Sequence, residues 1–253
     1  MLNHLDFYYF SPTGGTRKAG AVLAEALAQD VISHDLTGKN ACADAPAGEV
    51  TLFAMPVFSG RIPALAAEKL KQLKGAGRPA VSLVIYGVRA YDDALLELND
   101  LLQEVGFRVI ASGAFVARHS VVPEVGAGRP DEEDIQELKS FGQAILKKLA
   151  EGADGQIAVP GNRPYKENAP KPVSAITMSG CGLCGACVDR CPSGAITLAD
   201  DVLTTDAEKC FLCMACVHAC PTGARMLPPP LQEQMYQKLI PLKDVRRENQ
   251  QYL

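Results

Sequence analysis

Residues 5–28 read LDFYYFSPTGGTRKAGAVLAEALA, and this stretch decides the fold of the first part of the chain. The apolar and aromatic run at 5–10 predicts a buried parallel strand. It breaks at 11–16, which is rich in hydroxyl groups and glycine, and an amphipathic helix follows. Glycines let the backbone approach a ligand, and a helix N-terminus offers free N–H groups and partial positive charge. The stretch therefore predicts a phosphate-binding turn between a strand and a helix.

Four more strands follow, and they alternate with helices. The predicted strands span 31–36, 50–55, 80–86 and 109–116, and the predicted helices span 63 to about 73, 92–105 and 131–150. Strands that alternate with helices predict an α/β fold with a doubly wound, five-stranded parallel sheet in the order 2-1-3-4-5. In such a sheet a cofactor binds beyond the carboxyl ends of the strands, at the switch point of the strand order.

The turn at 11–16 resembles the phosphate loop of flavodoxins, S/T-x-T-G-x-T, which binds the phosphate of FMN. No lysine follows the glycines as in G-x4-G-K-[ST], so a nucleoside triphosphate site is disfavoured, and an ordinary strand–helix turn is the alternative. The resemblance implies that the loops after strands three and four hold the flavin ring. The residues implied to bind FMN are Ser11, Thr13, Gly14, Gly15, Thr16, Pro56, Val57, Phe58, Ser59, Gly60, Tyr86, Gly87, Arg89 and Tyr91.

The chain has no tryptophan, so Phe58 or Tyr91 would have to stack on the ring. Beside a flavin, Arg89 could stabilise the anionic reduced ring, and a solvated loop arginine is the alternative. Arg118 and His119 follow the fifth strand at the same sheet edge and are the candidate catalytic residues. His119 could donate a proton to a substrate or to the flavin, or it could be a structural histidine.

Eight of the nine cysteines lie in two copies of one pattern, 29 residues apart. Residues 181–198 read CGLCGACVDRCPSGAITL and residues 210–227 read CFLCMACVHACPTGARML. Both copies begin with C-x2-C-x2-C-x3-C-P, the spacing that holds [4Fe–4S] clusters, and the cysteine before the proline serves the other cluster. The predicted ligands are Cys181, Cys184, Cys187 and Cys220 for cluster one, and Cys210, Cys213, Cys216 and Cys191 for cluster two.

Other roles for these cysteines fit less well. Zinc sites favour isolated C-x2-C pairs separated by longer loops, and a disulfide framework goes with a secretory signal, which the N-terminal strand does not resemble. The ninth cysteine, Cys42, lies in a Gly/Ala/Pro-rich loop and is interpreted as a bystander thiol.

Composition and spacing divide the 253 residues into four segments. We predict a flavodoxin-like FMN-binding domain at 1–150, a Gly/Pro-rich linker at 151–172, a small α+β two-cluster ferredoxin domain at 173–227, and a tail at 228–253 that is a docked helix or a frayed end. The net charge of −4 without a basic stripe argues against nucleic acid, and no apolar run is long enough for a membrane span. Reduced cysteines point to the cytoplasm.

The whole chain resembles the flavodoxin–ferredoxin fusion proteins of anaerobic bacteria and archaea, over nearly all of residues 1–227. The resemblance implies two [4Fe–4S] clusters and FMN. The first hypothesis is an electron-transfer protein whose clusters accept low-potential electrons from a ferredoxin-linked partner and exchange them with FMN, which passes them on to a partner protein. The alternative is an FMN-dependent reductase of a small organic substrate, and a third possibility is a docking module without flavin. A shuttle would leave the flavin edge exposed, whereas an enzyme would cover it with a loop such as 120–130.

Overall fold

A computed structural model describes residues 1–41, 45–152, 157–167 and 172–253. Cys42 and two parts of the predicted linker lie outside these ranges. Within them, no helix combines the length and the apolar character that crossing a membrane requires.

The first 150 residues form a parallel sheet with helices on both faces. Strand β1 pairs in parallel with β2 and β3, β3 pairs with β4, and β4 pairs with β5. The order β2-β1-β3-β4-β5 confirms the predicted doubly wound sheet. The elements are β1 Leu2–Tyr9, α1 Gly15–Leu27, β2 Ala28–Asp35, β3 Val50–Pro56, α2 Ala64–Leu70, β4 Pro79–Tyr86, α3 Ala94–Glu104, β5 Arg108–Val116 and α4 Glu132–Ala150.

Two apolar cores lie on opposite faces of this sheet, because alternate side chains of a strand point to opposite sides. Phe7 belongs to the core that includes residues of α1 and α4, and Tyr8 belongs to the core that includes residues of α2 and α3. Helix α1 lies so close to the sheet that a Cβ atom at Gly20 would collide with the ring of Phe7. Burial on both faces explains why β3 is apolar along almost its whole length.

A small α+β region follows and is built from short elements. Strand β6 pairs with β9, and β7 pairs with β8, in both cases antiparallel. The apolar core of this region includes three of the cysteines, Cys187, Cys191 and Cys216. The elements are β6 Ile176–Thr177, α5 Ala186–Asp189, β7 Ile196–Ala199, β8 Val202–Thr205, α6 Ala215–Ala219 and β9 Arg225–Met226.

The C-terminal tail is ordered and returns to the first domain. It forms α7, Pro229–Leu239, and then β10, Gln250–Tyr252, which pairs antiparallel with β5 and gives the sheet a sixth strand. The Asn249 side chain accepts a hydrogen bond from the backbone N–H of Val116 (2.9 Å) and donates to Asp134 Oδ1 (2.7 Å). Strand β10 thus covers what would otherwise be the exposed edge of the parallel sheet.

Candidate functional site

A cavity of about 710 Å³ lies at the carboxyl ends of the parallel strands, where the strand order predicts a cofactor. This volume is in the range of small-molecule and cofactor sites. One wall is formed by the loops after β1, β3, β4 and β5. The opposite wall comes from the second cysteine motif and α7, and consists of Cys210, Phe211, Leu212, Leu231 and Met235. The cavity therefore lies between the two domains.

The turn after β1 supplies one end of the cavity through Thr13, Gly15 and Thr16. Helix α1 begins at Gly15, and its N-cap residue Gly14 has no side chain to cap it, so the N–H groups of Gly15 and Thr16 remain for a bound anion. Two residues of this turn that were predicted to bind FMN, Ser11 and Gly14, do not line the cavity and instead determine the shape of the turn. Ser11 Oγ accepts a hydrogen bond from the Arg17 N–H (3.0 Å), and Gly14 takes φ +88°, a left-handed conformation that favours glycine.

The loops after β3 and β4 supply the middle of the cavity. Their lining residues include six that the sequence analysis predicted to bind FMN: Pro56, Val57, Phe58, Ser59, Tyr86 and Gly87. A Cβ atom at Gly87 would lie 2.5 Å from Cδ2 of His119, so this glycine lets the histidine pack against the loop. Gly60 does not line the cavity; it takes φ +88°, and a Cβ there would overlap the Asp92 carboxylate. Its role is to form the loop.

The structure does not bring Arg89 and Tyr91 to the cavity. The Arg89 guanidinium donates to the Asp92 carboxylate (2.5 Å), and the Tyr91 hydroxyl hydrogen-bonds to the side chains of Gln250 and Tyr252. Strand β10, which the sequence did not predict, supplies these two side chains. Of the two predicted stacking residues, only Phe58 lines the cavity.

The aromatic side chain that sequence reasoning missed is Phe211. Its ring centroid lies 5.8 Å from that of Phe58 and 6.3 Å from that of Phe10. The signal for it was the internal repeat: the first motif carries Gly182 where the second carries Phe211. An aromatic residue in place of a glycine next to the first cysteine of a motif indicates a contact that only the second motif makes.

His119 and Arg118 both line the cavity, and His119 has a defined hydrogen-bonding state. Its Nδ1 accepts from the backbone N–H groups of Val121 (3.1 Å) and Val122 (3.3 Å), so the ring hydrogen sits on Nε2. Burial, and secondarily the charge of Arg89, lower the pKa of His119. A neutral ring that presents Nε2–H is suited to donating a hydrogen bond to a ligand, more than to acting as a strong acid.

We expect His119 to remain neutral below the pH at which an ordinary histidine becomes protonated. In nitrogen-15 NMR spectra at about pH 7, Nδ1 should show the shift of an unprotonated nitrogen and Nε2 that of a protonated one. Because its pKa is lower in the folded state, the histidine's contribution to stability is complete above about pH 6.5 and declines as the pH falls below that value. An imidazolium, or a proton on Nδ1, at neutral pH would contradict this assignment.

The eight motif cysteines surround two separate cavities. Cys191, Cys210, Cys213 and Cys216 line one, and Cys181, Cys184, Cys187 and Cys220 line the other. Each cavity thus joins three cysteines of one motif to the last cysteine of the other. Among the described residues, no three His, Cys, Asp or Glu side chains converge on a single-metal-ion site. Four thiols around a cavity match the donor set of a [4Fe–4S] cluster.

The two cysteine cavities differ in their surroundings. The cavity lined by Cys191, Cys210, Cys213 and Cys216 is called the cluster-two cavity, and the other is called the cluster-one cavity. The cluster-two cavity shares three lining residues with the large interdomain cavity: Cys210, Phe211 and Leu212. In the other cavity Cys184 is exposed, and the neighbouring Leu183 is exposed as well. The cluster-two cavity therefore adjoins the predicted flavin site, whereas the cluster-one cavity lies at the protein surface.

Comparison with known proteins agrees with the cysteine pattern. The 4Fe-4S dicluster domain family matches residues 168–224, which is less than a quarter of the chain. No protein with a curated function matches. A domain of this family joined to a parallel sheet in the order β2-β1-β3-β4-β5 fits a flavodoxin–ferredoxin fusion.

Solved structures similar to the chain include several flavodoxins. An archaeal flavodoxin is 16% identical over 58% of this chain and 99% of its own, with a TM-score of 0.42. Flavodoxin 1 of Bacillus cereus is 16% identical over 57% and 98%, with a TM-score of 0.43. Rubredoxin oxygen:oxidoreductase of Desulfovibrio gigas is 21% identical over 58% and 37%, with a TM-score of 0.43. Because these TM-scores are below 0.5, the fold is assigned from the strand order and connectivity of the chain and not from these similarities.

Proposed function

We propose that the protein transfers electrons and holds two [4Fe–4S] clusters and one FMN. The main observation behind this proposal is that the second cysteine motif forms a wall of the interdomain cavity. When bound, the clusters would supply single-electron transfer and the flavin would supply storage of one or two electrons. The cysteine sets that line the two cavities would hold the clusters. The turn after β1 would hold the FMN phosphate, and Phe58 and Phe211 would contact the ring.

The positions of the sites support a spatial order of the redox centres. The cluster-two cysteines adjoin the flavin cavity, and the cluster-one cysteines adjoin the surface. Exposed apolar side chains of the same small domain, Met178, Leu183, Leu198 and Val202, would give a partner protein an apolar contact. We propose that a redox partner docks near cluster one, and that the flavin lies at the inner end of the relay.

A specific observation favours a second candidate, a reductase of a small organic acceptor. The lining of the cavity includes Ser120 and Val121 from the loop after β5, the second cysteine motif and α7, so three parts of the chain beyond the flavodoxin-like loops lie beside the predicted flavin. An electron shuttle would leave the flavin edge open to a partner protein. In this cavity the Nε2–H of His119 could bind an acceptor oxygen. Arg118 lines it with an exposed guanidinium that pairs with no carboxylate among the described residues.

An anaerobic reductive titration of the purified protein tests the proposal, with iron and flavin quantified and with absorption and electron paramagnetic resonance (EPR) spectra recorded. Two [4Fe–4S] signals with bound FMN are the expected result. Clusters without flavin, even after incubation with FMN, would reject the flavin site and leave a ferredoxin with a docking domain. Reoxidation of the reduced protein by a small organic acceptor, with no partner protein present, would favour the reductase.

A further inference from the structure

Arg225 breaks the symmetry of the internal repeat. The first motif continues PSGAI and the second continues PTGAR, so that Arg225 corresponds to Ile196. Both side chains are buried, with exposed fractions of 2% for Arg225 and 4% for Ile196. A guanidinium thus occupies the place of an apolar core residue. Burying a charge is costly unless a partner compensates it, so the arginine needs an explanation.

The Arg225 side chain lies between the two cysteine cavities and lines both. Its Nη1 donates to Thr177 Oγ1 (2.7 Å), and its Nη2 donates to Cys216 Sγ (3.8 Å). Its Nε is buried and has no hydrogen-bond partner among the described residues. Within the same ranges no carboxylate forms a salt bridge with it. The buried cation therefore lies between the two sets of thiols and keeps one unused donor.

The missing counter-charge is of the kind that cluster binding would bring. A [4Fe–4S] cluster held by four thiolates is anionic, and each one-electron reduction makes it one unit more negative without forming or breaking a bond. A fixed cation in a buried site interacts more favourably with the reduced state than with the oxidised state. Hydrogen bonds to the ligand sulfurs act in the same direction.

We propose that Arg225 is the counter-charge of the cluster pair and raises the reduction potentials, most strongly for the cluster held by Cys216. This inference rests on the proposed binding of clusters. The arginine makes two clusters in nearly repeated motifs inequivalent, and the cluster beside the interdomain cavity becomes the better electron acceptor. Electrons from a low-potential one-electron donor would thereby be drawn toward the flavin cavity.

The test is a potentiometric titration, followed by EPR spectroscopy, of the cluster-loaded protein and of Arg225→Ile, which copies the first motif. We expect iron content to be retained and the ratio of reduced to oxidised cluster two, at a fixed potential, to fall at least about tenfold, or about 59 mV for a one-electron couple. Cluster one should shift less. Arg225→Lys should stay close to the wild type because it keeps the charge.

Matched controls separate charge from packing. Arg190→Ala removes an exposed arginine of the same domain and should shift neither potential. If Arg225→Ile does not load with clusters, Arg225→Gln keeps a donor without the charge and should show the same fall. Loading by Arg225→Lys but by neither neutral variant would also support a requirement for charge. Loaded neutral variants with wild-type potentials would overturn the inference, whereas a wild-type protein without clusters would overturn the proposed function.

Discussion

Cys191→Ala is expected to remove the cluster held by Cys210, Cys213 and Cys216, although Cys191 belongs to the first motif. The structure places its thiol in the same cavity as those of the second motif. Its loss leaves three ligands and one open corner, so iron content should fall by about half. The cysteines that no longer bind iron can be identified by anaerobic alkylation and peptide mass spectrometry. Cys210, Cys213 and Cys216 should become reactive.

The matched variant is Cys220→Ala, which removes the corresponding cysteine of the second motif. It lies in the cavity of Cys181, Cys184 and Cys187, and these three thiols should become reactive instead. The pair of variants therefore gives opposite alkylation patterns from the same chemical change. If each variant exposed the other cysteines of its own motif, the crossed arrangement of ligands would be wrong.

The central strands of the parallel sheet could be predicted from sequence because both of their faces are buried. Strands covered on two sides must be apolar throughout, and β3 shows this along almost its whole length. The alternation with helices then restricts the topology, and the order β2-β1-β3-β4-β5 is confirmed. The fold class follows from local patterns because each βαβ unit is formed by neighbouring parts of the chain.

The sixth strand could not be predicted because it is only three residues long and its composition does not indicate a strand. Residues 250–252 are Gln, Gln and Tyr, and they pair with β5 more than 130 positions earlier. Besides this backbone pairing, single polar contacts hold the segment in place, such as that of Asn249 with the Val116 N–H. Gln250 and Tyr252 of this strand hydrogen-bond to the Tyr91 hydroxyl, so the surroundings of Tyr91 depend on long-range pairing that the sequence does not reveal.

The positions at which the two copies of the repeat differ are informative about the site. The cysteine spacing predicts two equivalent motifs, but Phe211 replaces Gly182 and Arg225 replaces Ile196. In the structure, Phe211 lines both the cavity of the second-motif cysteines and the interdomain cavity, and Arg225 lines both cysteine cavities. A sequence comparison of the two copies could identify these positions, but only the structure shows what each side chain faces.

Thr13→Asp is expected to weaken FMN binding strongly while leaving riboflavin binding almost unchanged. Thr13 lines the cavity at the start of α1, and its partly exposed position tolerates a carboxylate without disturbing the fold. Near a protein surface, two like charges 4 Å apart repel by about 4 kcal/mol, so even partial screening should lower FMN affinity about 100-fold. Riboflavin has no phosphate and therefore does not meet this repulsion.

Fluorescence titrations with both flavins separate a phosphate effect from a damaged cavity. Thr13→Val is the matched control, since it removes one hydroxyl donor without adding charge and should cost about 1 kcal/mol, or about fivefold in FMN affinity. Equal losses for FMN and riboflavin in Thr13→Asp would mean that the whole cavity had changed. Unchanged affinity for FMN would place its phosphate elsewhere. A selective loss for FMN would fix the phosphate at the start of α1 and orient the ring toward Phe58 and Phe211, because these side chains line the same cavity.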